Sequence, residues 1–241
     1  MSNKQTVIIV PTYNERHNVT DLVRGVEQAV PAAKLIIIDD HSPDGTAKVM
    51  EELVVTRPWL KLISRAGKSG QGSAYKFALT DMELISHATA VVTMDADGSH
   101  SPAVLPLLLK NLADYDLIIG SRYVAGGQTV GWSRGRKILS WTANFLTRHL
   151  LGLKIKDATS GLVAMHGDLA RQIPWEKIDA RGYAFHVELK HYAVKKLRAK
   201  VLEVPITFAD RQAGESKISL AVMLEWLVII GELFLRRLVG Y

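Results

Sequence analysis

The sequence predicts an α/β fold in which a central, mostly parallel β-sheet is flanked by helices. The first half of the chain alternates short apolar runs with longer segments of helical pattern. Strands of a parallel sheet are covered on both faces, so they read as nearly continuous apolar runs. Polar loops follow three of these runs, as expected where a chain leaves the edge of a sheet. The runs are TVIIV at 6–10, KLIIID at 34–39, LKLI at 60–63, AVVTM at 90–94 and YDLIIG at 115–120.

Length and composition set broad limits on the protein. With 241 residues, 48% of them hydrophobic and 22% charged, the chain can bury a full core in one large domain. It has no cysteine, which excludes disulfides, thiolate metal sites and cysteine nucleophiles, so a metal must bind oxygen or imidazole. The net charge of +6 is compatible with nucleic acid, anionic lipid or phosphorylated substrates and does not choose among them.

Neither a signal peptide nor a membrane span is predicted. The N-terminal MSNKQTVIIVPTYNE lacks the long apolar core and the small-residue cleavage site of a signal peptide, so a cytosolic location is expected. The most apolar stretch, 218–235, carries Glu225 and Glu232 and falls short of the roughly 20 uncharged apolar residues that a span needs.

The second half of the chain has a different character. A Gly-rich basic loop at 126–137 precedes an amphipathic helix at 138–153. Downstream of that helix the pattern predicts a strand near 160–165, a helix near 184–197, a strand near 200–208 and a polar loop at 209–217.

Residues 218–241 are expected to form one C-terminal helix. Glu225, Glu232 and Arg236 follow each other at spacings of seven and four residues, which places them on one side and leaves the remainder apolar. A polar stripe this narrow is typical of a helix that lies in an interface or packs on a partner.

Two carboxylates follow the fourth apolar run. Asp95 and Asp97 come after AVVTM and precede Gly98, one residue apart from each other. Paired oxygens at the edge of a sheet suit a hard divalent cation, which can hold phosphate oxygens and neutralise a departing diphosphate. The alternative is a plain turn that uses Asp and Gly for local backbone bonding, and such a pair often occurs by chance.

A second acidic pair, Asp39 and Asp40, ends the second apolar run. A carboxylate there can accept hydrogen bonds from a ribose or a base, as acidic residues do in other nucleotide-binding folds. The alternative is structural: Ser42 and Asp44 predict a tight turn and a cap for a helix that begins near Thr46.

Glycines, cations and histidines give weaker signals. The segment RAGKSGQGSAYKFAL at 65–79 places glycines and cations before a helix, where exposed amides favour phosphate, but it matches neither a P-loop nor a dinucleotide fingerprint. Loop arginines match phosphate geometry, although a solvated basic surface is the alternative. The basic residues concerned are Arg122, Arg134, Arg136, Arg211 and Lys217, and His100, His186 and His191 are expected to serve packing rather than catalysis.

Six segments together resemble the dolichol- or polyprenol-phosphate mannosyltransferases of the family 2 glycosyltransferases. They occur in the family's order and cover residues 5–217, so their joint occurrence by chance is implausible. The segments are VPTYNE (10–15), DDHSPDGT (39–46), MDADGSH (94–100), GSRY (120–123), GYAFHVELK (182–190) and EVPITFADRQAGESK (203–217).

The resemblance implies a glycosyltransferase A-type fold that binds a nucleotide sugar, with GDP-mannose as the expected donor. Asp95 would face the ribose and the metal, while Asp97 and Ser99 would hold Mg²⁺ or Mn²⁺ on the donor diphosphate. Relatives often carry Gln at the position of Ser99, so a water-mediated contact is the alternative for this shorter hydroxyl. The resemblance implies catalytic roles for Asp95, Asp97 and Arg122, and donor contacts by Pro11, Tyr13, Glu15, Asp39, Asp40, Lys68, Arg211 and Lys217.

For the acceptor, the resemblance implies the phosphate of dolichol or polyprenol. Arg122, Arg136 and Ser140 match positions at which relatives bind that phosphate. The helices at 138–153 and 218–238 match membrane-interface helices, so we expect peripheral association with the cytosolic face of a membrane, or a small membrane subunit as partner. No nucleic acid partner is expected. The expected domains are a catalytic domain at 1–217, with a nucleotide-sugar half (1–124) and an acceptor half (125–217), and a C-terminal amphipathic helix at 218–241.

The expected reaction is an inverting transfer, in which the lipid phosphate attacks the anomeric carbon of the sugar as GDP leaves. A phosphate dianion is already ionised near neutral pH, so the protein needs to supply orientation and electrostatic stabilisation rather than a strong base. Three alternatives stay open: a polyprenol-phosphate glucosyltransferase that uses UDP-glucose, an enzyme with a soluble acceptor, and a noncatalytic membrane-associated subunit with a degenerate nucleotide site. The intact DADGSH and DRQAGESK segments argue against the last of these.

Overall fold

A computed structural model of the chain describes residues 5–180, 182–210 and 220–238 and confirms the α/β fold. In this part of the chain a seven-stranded sheet lies between two layers of helices. The strands are β1 (Gln5–Thr12), β2 (Lys34–Asp39), β3 (Leu60–Ser64), β4 (Ala88–Thr93), β5 (Leu117–Ser121), β6 (Gln128–Val130), β7 (Val163–His166), β8 (Val201–Pro205) and β9 (Thr207–Ala209). The helices are α1 (Val19–Ala29), α2 (Thr46–Val54), α3 (Gln71–Thr80), α4 (Met82–Ile85), α5 (Leu105–Asn111), α6 (Arg134–Leu151), α7 (Gly167–Gln172), α8 (Ala184–Lys195) and α9 (Leu220–Leu238).

The order of strands in the central sheet is β3-β2-β1-β4-β7-β5-β8. Strand β7 is antiparallel to both of its neighbours, β4 and β5, whereas the other pairs in this sheet are parallel. Because β4 and β5 both oppose β7, they point the same way, and the carboxyl ends of β1, β2, β4 and β5 meet at one edge. All five predicted strands of the first half are confirmed, and β6 pairs with β9 in a separate parallel ribbon.

The sheet separates two hydrophobic cores, because successive side chains of a strand point to opposite faces. In β1, Val7 and Ile9 belong to one core, while Ile8 and Val10 belong to the other. All four side chains are buried, which explains why the run reads as continuously apolar. The core of Ile8 and Val10 is covered by α1, α2 and α5, and the opposite core is covered by α3, α7, α8 and α9.

The second half differs from the prediction at two places. Helix α6 begins at Arg134 rather than at residue 138, so Arg136 lies in its first turn and not in a loop. Ser133 explains the earlier start, because its Oγ accepts a hydrogen bond from the backbone N–H of Arg136 at 3.3 Å and caps the helix. The strand expected near 200–208 is divided at Ile206 into β8 and β9, which pair with different strands.

The polar side of helix α9 contacts the protein through Glu225 and Arg236 but stays partly exposed. Glu225 Oε1 accepts a hydrogen bond from the backbone N–H of Gly182 at 2.9 Å, and Arg236 lies 3.5 Å from the carboxylate of Asp179. Glu232 lies 3.9 Å from Arg236 on the same side, as the spacing predicted. The exposed residues of this helix include Glu232 and Arg236 and also apolar ones, namely Leu224, Leu227, Val228 and Leu235.

The buried side of α9 joins the main core. Ile229, Ile230 and Leu233 are buried there, and the helix packs against α6 and α8. Within the described ranges, no helix is both long enough and apolar enough to cross a membrane. The division of the chain at residues 124 and 217 stays a prediction.

Candidate active site

Polar loops gather at the edge of the sheet where β1, β2, β4 and β5 end. In the paired register Thr12 of β1 lies beside Asp39 of β2, and Ile9 lies beside Thr93 near the end of β4. Parallel strands bring loops that are distant in sequence to one edge, where α/β proteins bind their ligands. The three polar loops predicted to converge there do so.

The acidic loop after β4 is shaped by a glycine and a backbone hydrogen bond. Gly98 has a φ of +75°, in the left-handed region that favours glycine. The backbone N–H of Ser99 then donates to Oδ1 of Asp97 at 3.1 Å. Both side chains are buried, and Ser99 Oγ has no hydrogen-bond partner among the described residues. Leaving a buried hydroxyl unpaired is unfavourable, so this atom indicates a ligand site.

The side chains of this loop fit a hard divalent cation. Asp95 and Asp97 offer carboxylate oxygens and Ser99 offers its unpaired hydroxyl, which are the oxygen ligands that Mg²⁺ and Mn²⁺ prefer. No group of three or more His, Asp or Glu side chains comes together within the described ranges. An ion here would therefore take further oxygens from a phosphate ligand, as Mg²⁺ commonly does in proteins. The metal-binding role of these three residues stays a prediction.

Asp95 is half-buried and is oriented by two polar neighbours. Gln71 Nε2 donates a hydrogen bond to its Oδ1, and His100 Nδ1 lies 3.7 Å from its Oδ2. Burial lowers the pKa of His100, and the opposing effect of the Asp95 and Asp97 carboxylates does not reverse this. His100 Nδ1 also accepts a hydrogen bond from the backbone N–H of Asp95 at 3.3 Å, which requires that nitrogen to be unprotonated. The charge of Asp95 is thus not neutralised by this histidine.

The first of two adjoining cavities lies between the loop after β1 and the acidic loop, with a volume of about 270 Å³. Lys68 Nζ lies 4.3 Å from the centroid of the Tyr13 ring, which forms a cation–π contact in its wall. The N-terminus of α3, at Gln71, also reaches this cavity. Of the residues predicted to contact the donor, Pro11, Tyr13, Glu15, Asp40 and Lys68 line it.

The two acidic residues at the end of β2 have different surroundings. Asp39 is fully buried and accepts hydrogen bonds from the hydroxyl of Thr12 at 3.0 Å and from the backbone N–H of Ser42 at 2.9 Å. It does not line either cavity, so it holds the loop together in this structure. Asp40 lines the first cavity and is fixed by Arg65, whose Nε donates to its Oδ1 at 2.6 Å. Donor contacts by both residues stay predictions.

The turn after these residues has the predicted capping interactions. Asp44 Oδ1 accepts hydrogen bonds from the backbone N–H and the hydroxyl of Thr46, at 2.9 and 2.6 Å. Ser42 Oγ accepts from the backbone N–H of Asn14 at 3.0 Å and so connects the loops after β1 and β2. Asp44 thus binds the first backbone N–H of the helix as predicted, whereas the N-cap position itself is Gly45 and Ser42 joins two loops and does not cap the helix.

The second cavity has a volume of about 300 Å³ and shares part of its wall with the first. Gln71, Asp95, Asp97 and Tyr183 line both, so the acidic loop lies at the junction of the two. From this polar junction the second cavity extends between α6 and α9, where its wall becomes apolar. The apolar wall is formed by Leu139, Ala143, Leu146, Met223, Trp226 and Leu227.

Arg122 lines the second cavity, but its charge is balanced by Asp157. Its Nε and Nη2 donate to the two carboxylate oxygens at 2.8 and 2.6 Å, and Nη2 also donates to Thr159 Oγ1 at 2.8 Å. Burial alone would lower the pKa of Arg122 and raise that of Asp157. Their attraction outweighs burial, so the pKa of Arg122 is raised and that of Asp157 is lowered. Arg122 therefore offers donors rather than net charge, and its predicted contact with the acceptor phosphate stays a prediction.

Arg136 and Ser140 line the same cavity from the first two turns of α6. The Arg136 guanidinium lies 4.2 Å from the centroid of the Trp132 ring and 2.6 Å from the Asp210 carboxylate. Its Nε has no hydrogen-bond partner among the described residues. Ser140 Oγ accepts a hydrogen bond from the hydroxyl of Tyr123 at 2.8 Å. Both residues line the second cavity, and their predicted contact with the acceptor phosphate stays a prediction.

Two predicted residues lie outside the described part of the chain, and two residues of the site were not predicted. Arg211 and Lys217 lie outside the described residues, so their predicted contacts stay untested. Asp157 gave no sequence signal, since a lone acidic residue in a loop resembles any surface residue. Gln71 belongs to the glycine-rich segment at 65–79, but only the fold shows that it contacts Asp95.

Fold and site together define the class of this protein. The mostly parallel sheet with its inserted antiparallel strand, and the acidic loop at the junction of two cavities, make it a glycosyltransferase A-type fold. The sequence profile of "Glycosyl transferase family 2" matches residues 7–173. The chain belongs to this family, as its motifs predicted.

Two characterised relatives are similar along most of their length. The chain is 41% identical over 218 residues to polyprenol monophosphomannose synthase of Mycolicibacterium smegmatis, covering 90% of this chain and 82% of that protein. It is 38% identical over 215 residues to undecaprenyl-phosphate mannosyltransferase of Micrococcus luteus, covering 89% and 88%.

Solved structures with this fold include glucosyl-3-phosphoglycerate synthase of Mycobacterium tuberculosis. Its complex with phosphoglyceric acid superposes with a TM-score of 0.67 at 18% identity, covering 95% of this chain and 80% of that one. Its complex with Mn²⁺ and UDP-glucose superposes with a TM-score of 0.67 at 19% identity, covering 97% and 79%. At such low identity the likeness establishes the fold alone.

Proposed function

We propose that this chain is a polyprenol-phosphate mannosyltransferase, which transfers mannose from a nucleotide sugar to the phosphate of a polyprenol. The names of the two relatives at 41% and 38% identity support this activity. GDP-mannose is the donor that we propose, and its support is the resemblance of the motifs at 10–15, 39–46 and 94–100.

One structural observation carries the proposal: two different cavities meet at Asp95 and Asp97. The first has polar walls and a helix N-terminus, which suit a sugar nucleotide. The second passes from Arg136 and Ser140 to an apolar cleft between α6 and α9, which suits a phosphate attached to a hydrocarbon chain. A soluble acceptor has no hydrocarbon chain that could fill this apolar cleft, so the geometry favours a lipid phosphate over a soluble acceptor.

In the proposed reaction, an oxygen of the lipid phosphate forms a bond to the anomeric carbon while the bond from that carbon to the diphosphate breaks. The nucleoside diphosphate leaves with both electrons of that bond, and attack from the opposite side inverts the anomeric configuration. A divalent cation held by Asp95, Asp97 and Ser99 would offset the negative charge that builds on the diphosphate. The protein aligns the two substrates on either side of its acidic loop, which is a large contribution by itself.

The chain supplies hydrogen bonds and positive charge at the acceptor end of the reaction. Arg136 and the hydroxyl of Ser140 would bind the lipid phosphate, and Arg122 would add a donor held rigid by Asp157. The attacking phosphate is already ionised near neutral pH, so no side chain needs to take its proton.

Apolar residues exposed on α6 and α9 support association with a membrane surface. Ile138 and Trp141 of α6 are 65% and 57% exposed, and Leu235 of α9 is 62% exposed. Arg134 and Lys137 lie beside them on α6 and would face anionic headgroups. We propose peripheral binding to the cytosolic face, where the apolar cleft would open toward the lipid. A small membrane subunit covering the same residues is the alternative.

A matrix of donors and acceptors tests the proposal. The purified chain with Mn²⁺ is given labelled GDP-mannose or UDP-glucose, together with undecaprenyl phosphate in detergent or with phosphoglyceric acid. We expect label in the lipid extract only with GDP-mannose and undecaprenyl phosphate. Transfer from UDP-glucose would show that GDP-mannose is not the donor, and transfer to phosphoglyceric acid would show that the acceptor is not a lipid phosphate.

Two variants accompany this assay. Asp97→Asn should lower turnover by about 100-fold or more, because it removes charge where the diphosphate departs. Asp168→Asn changes an exposed acid on α7, away from both cavities, and should leave turnover unchanged. Full activity of Asp97→Asn in the presence of EDTA would contradict the proposed metal site.

A further inference from the structure

His186 of α8 is buried without a hydrogen-bond partner. It is 1% exposed, and neither Nδ1 nor Nε2 has a partner among the described residues. Burying an imidazole in this way sacrifices its hydrogen bonds to water, which costs about 1–3 kcal/mol for each polar group left unpaired. Such an unpaired group in a native structure calls for an explanation, and a catalytic or binding role is one of them.

Neighbouring rings hold His186 in one orientation. Its ring centroid lies 5.1 Å from that of Tyr75 at an interplanar angle of 72°, and 5.3 Å from that of Phe185 at 82°. Both are edge-to-face contacts, a favourable geometry for aromatic pairs. Tyr75 is itself fixed, because its hydroxyl donates to the backbone oxygen of Met94 at 2.9 Å. The imidazole is therefore preorganised in the wall of the second cavity.

The Nε2 atom of His186 shares a small space with the Asp95 carboxylate. A Cβ atom built on Gly161 would lie 3.3 Å from His186 Nε2 and 3.2 Å from Asp95 Oδ1. A side chain at position 161 would crowd both the imidazole nitrogen and the carboxylate, and glycine avoids this; all three residues line the second cavity. This part of its wall lies close to the junction of the two cavities, where the transferred sugar must pass from donor to acceptor.

The hydrogen-bonding capacity of the carboxylate and the imidazole limits which group can bind between them. A carboxylate only accepts hydrogen bonds, so the group between them must be a donor toward Asp95. A phosphate dianion cannot donate and would be repelled by Asp95. A hydroxyl can donate to the carboxylate and still exchange a hydrogen bond with a neutral imidazole, which has one donor and one acceptor. Hydroxyls are the groups that a hexose presents around its ring.

We infer that His186 is a substrate-binding residue whose Nε2 forms a hydrogen bond with a hydroxyl of the transferred sugar. This inference rests on the proposed function, because it assumes that a nucleotide sugar occupies the junction of the cavities. His186 acts on the sugar and touches neither the nucleotide nor the acceptor phosphate. Its replacement should therefore change recognition of the sugar-bearing donor while leaving recognition of the free nucleotide intact.

The variants His186→Leu and His186→Gln separate this role from a packing role. Leu removes both ring nitrogens, so the ligand-free protein should keep or raise its melting temperature, because no polar group is left buried without a partner. Gln keeps a donor and an acceptor and should retain most of the function. His191→Leu, five residues further along α8 and outside both cavities, is the matched control for replacing a buried histidine.

The experiment measures binding of GDP and of GDP-mannose by calorimetry in Mn²⁺, together with steady-state kinetics and thermal unfolding. For His186→Leu we expect GDP affinity within 2-fold of the wild type and a fall of about 10-fold or more in affinity for GDP-mannose, which equals about 1.4 kcal/mol or more. The KM for undecaprenyl phosphate should stay within about 2-fold, as expected for a donor-specific effect. His186→Gln should stay within about 5-fold of the wild type in kcat/KM, because its amide replaces both hydrogen-bonding functions.

Four outcomes would overturn the inference. Unchanged GDP-mannose affinity in His186→Leu would show that the sugar does not contact this residue. A loss confined to the KM of undecaprenyl phosphate would place His186 on the acceptor instead. A fall in melting temperature with equal losses for GDP and GDP-mannose would make His186 a packing residue. A wild-type chain that binds neither nucleotide would contradict the proposed function itself, and the inference with it.

Discussion

Replacing Asp157 by Asn should strongly destabilise the protein, because it leaves the Arg122 guanidinium buried without its counter-charge. In the wild type, the backbone N–H, Nε and Nη2 of Arg122 all donate to the two oxygens of Asp157, at 2.6 to 2.9 Å. The side chains are 8% and 0% exposed. An Asn keeps the shape but loses the charge and one acceptor, and its amide group would face another donor.

The magnitude follows from the burial of this pair. Removing one partner of a buried ion pair costs about 3–5 kcal/mol, because the remaining charge is left uncompensated. For a domain of this size, about 2–4 °C of melting temperature is lost per kcal/mol, so Asp157→Asn should melt about 6–20 °C below the wild type. Arg122 lines the second cavity, so kcat/KM for the lipid phosphate should also fall.

Urea unfolding at pH 7, followed by circular dichroism, measures the change. Asp168→Asn is the matched control, since Asp168 also lies 2.6 Å from an arginine, Arg171, but is 68% exposed. Exposed pairs contribute little, so this control should leave the unfolding midpoint unchanged within error. The pKa of Asp157 is lowered, because Arg122 outweighs burial, so its contribution is fully present above pH 3.8 and is lost only as the pH falls through the lowered value.

A double variant completes the test of Asp157. Arg122→Met combined with Asp157→Leu replaces the pair by apolar side chains and should recover most of the lost stability. Activity should not return, because the donors of Arg122 are gone from the cavity. An Asp157→Asn protein as stable as the wild type would refute the reasoning, and so would a double variant less stable than the single one.

Three further predictions concern other parts of the molecule. Burial lowers the pKa of Lys190 to about 7, so between pH 7 and 10 the unfolded chain holds a proton that the folded chain has released. The free energy of unfolding should therefore rise over this range more steeply in the wild type than in Lys190→Met, by up to about 1.4 kcal/mol per pH unit. Urea titrations that give equal slopes for the two proteins would contradict this. Gly161→Ala should lower kcat/KM about 10-fold by filling the space beside Asp95, whereas Gly67→Ala, with open space around it, should not. Ile138→Glu should reduce co-sedimentation with anionic liposomes, and Val55→Glu, at an apolar residue that is even more exposed but lies away from α6, is the control. Equal sedimentation of both variants would argue against α6 as the membrane-binding surface.

Much of the sheet could be predicted from the sequence, because burial on both faces leaves a continuous apolar run. This held for β1, where Val7 to Val10 alternate between two cores and are all buried. The prediction of strands from apolar runs failed at 200–208, where one apolar stretch forms strands in two different sheets. The break at Ile206 depends on which strands lie nearby. The prediction also failed at the start of α6, where the basic residues masked a helix capped by Ser133.

The sequence predicted the positions of site residues that follow the ends of strands. It did not predict site residues that come from helices. Asp95, Asp97 and Asp40 follow β-strands, and the sequence placed them at one edge of the sheet. Gln71 and His186 come from helices, and nothing local distinguishes them from packing residues. The burial of Asp39 could not be predicted either, since its partners are Thr12, at the end of β1, and Ser42, in the loop after β2.

The sequence by itself determined the fold class, the family and the order of the acidic and basic motifs along the chain. These depend on local patterns: the period of apolar residues, the turn residues, and the identity of short segments. Only the tertiary structure decided that Arg122 is paired with Asp157, that Glu225 of α9 binds the backbone of Gly182, and that Asp95 and His186 border one space beside Gly161. Each of these joins residues that are tens of positions apart, and such contacts form only once the packing of helices on the sheet fixes which distant side chains meet.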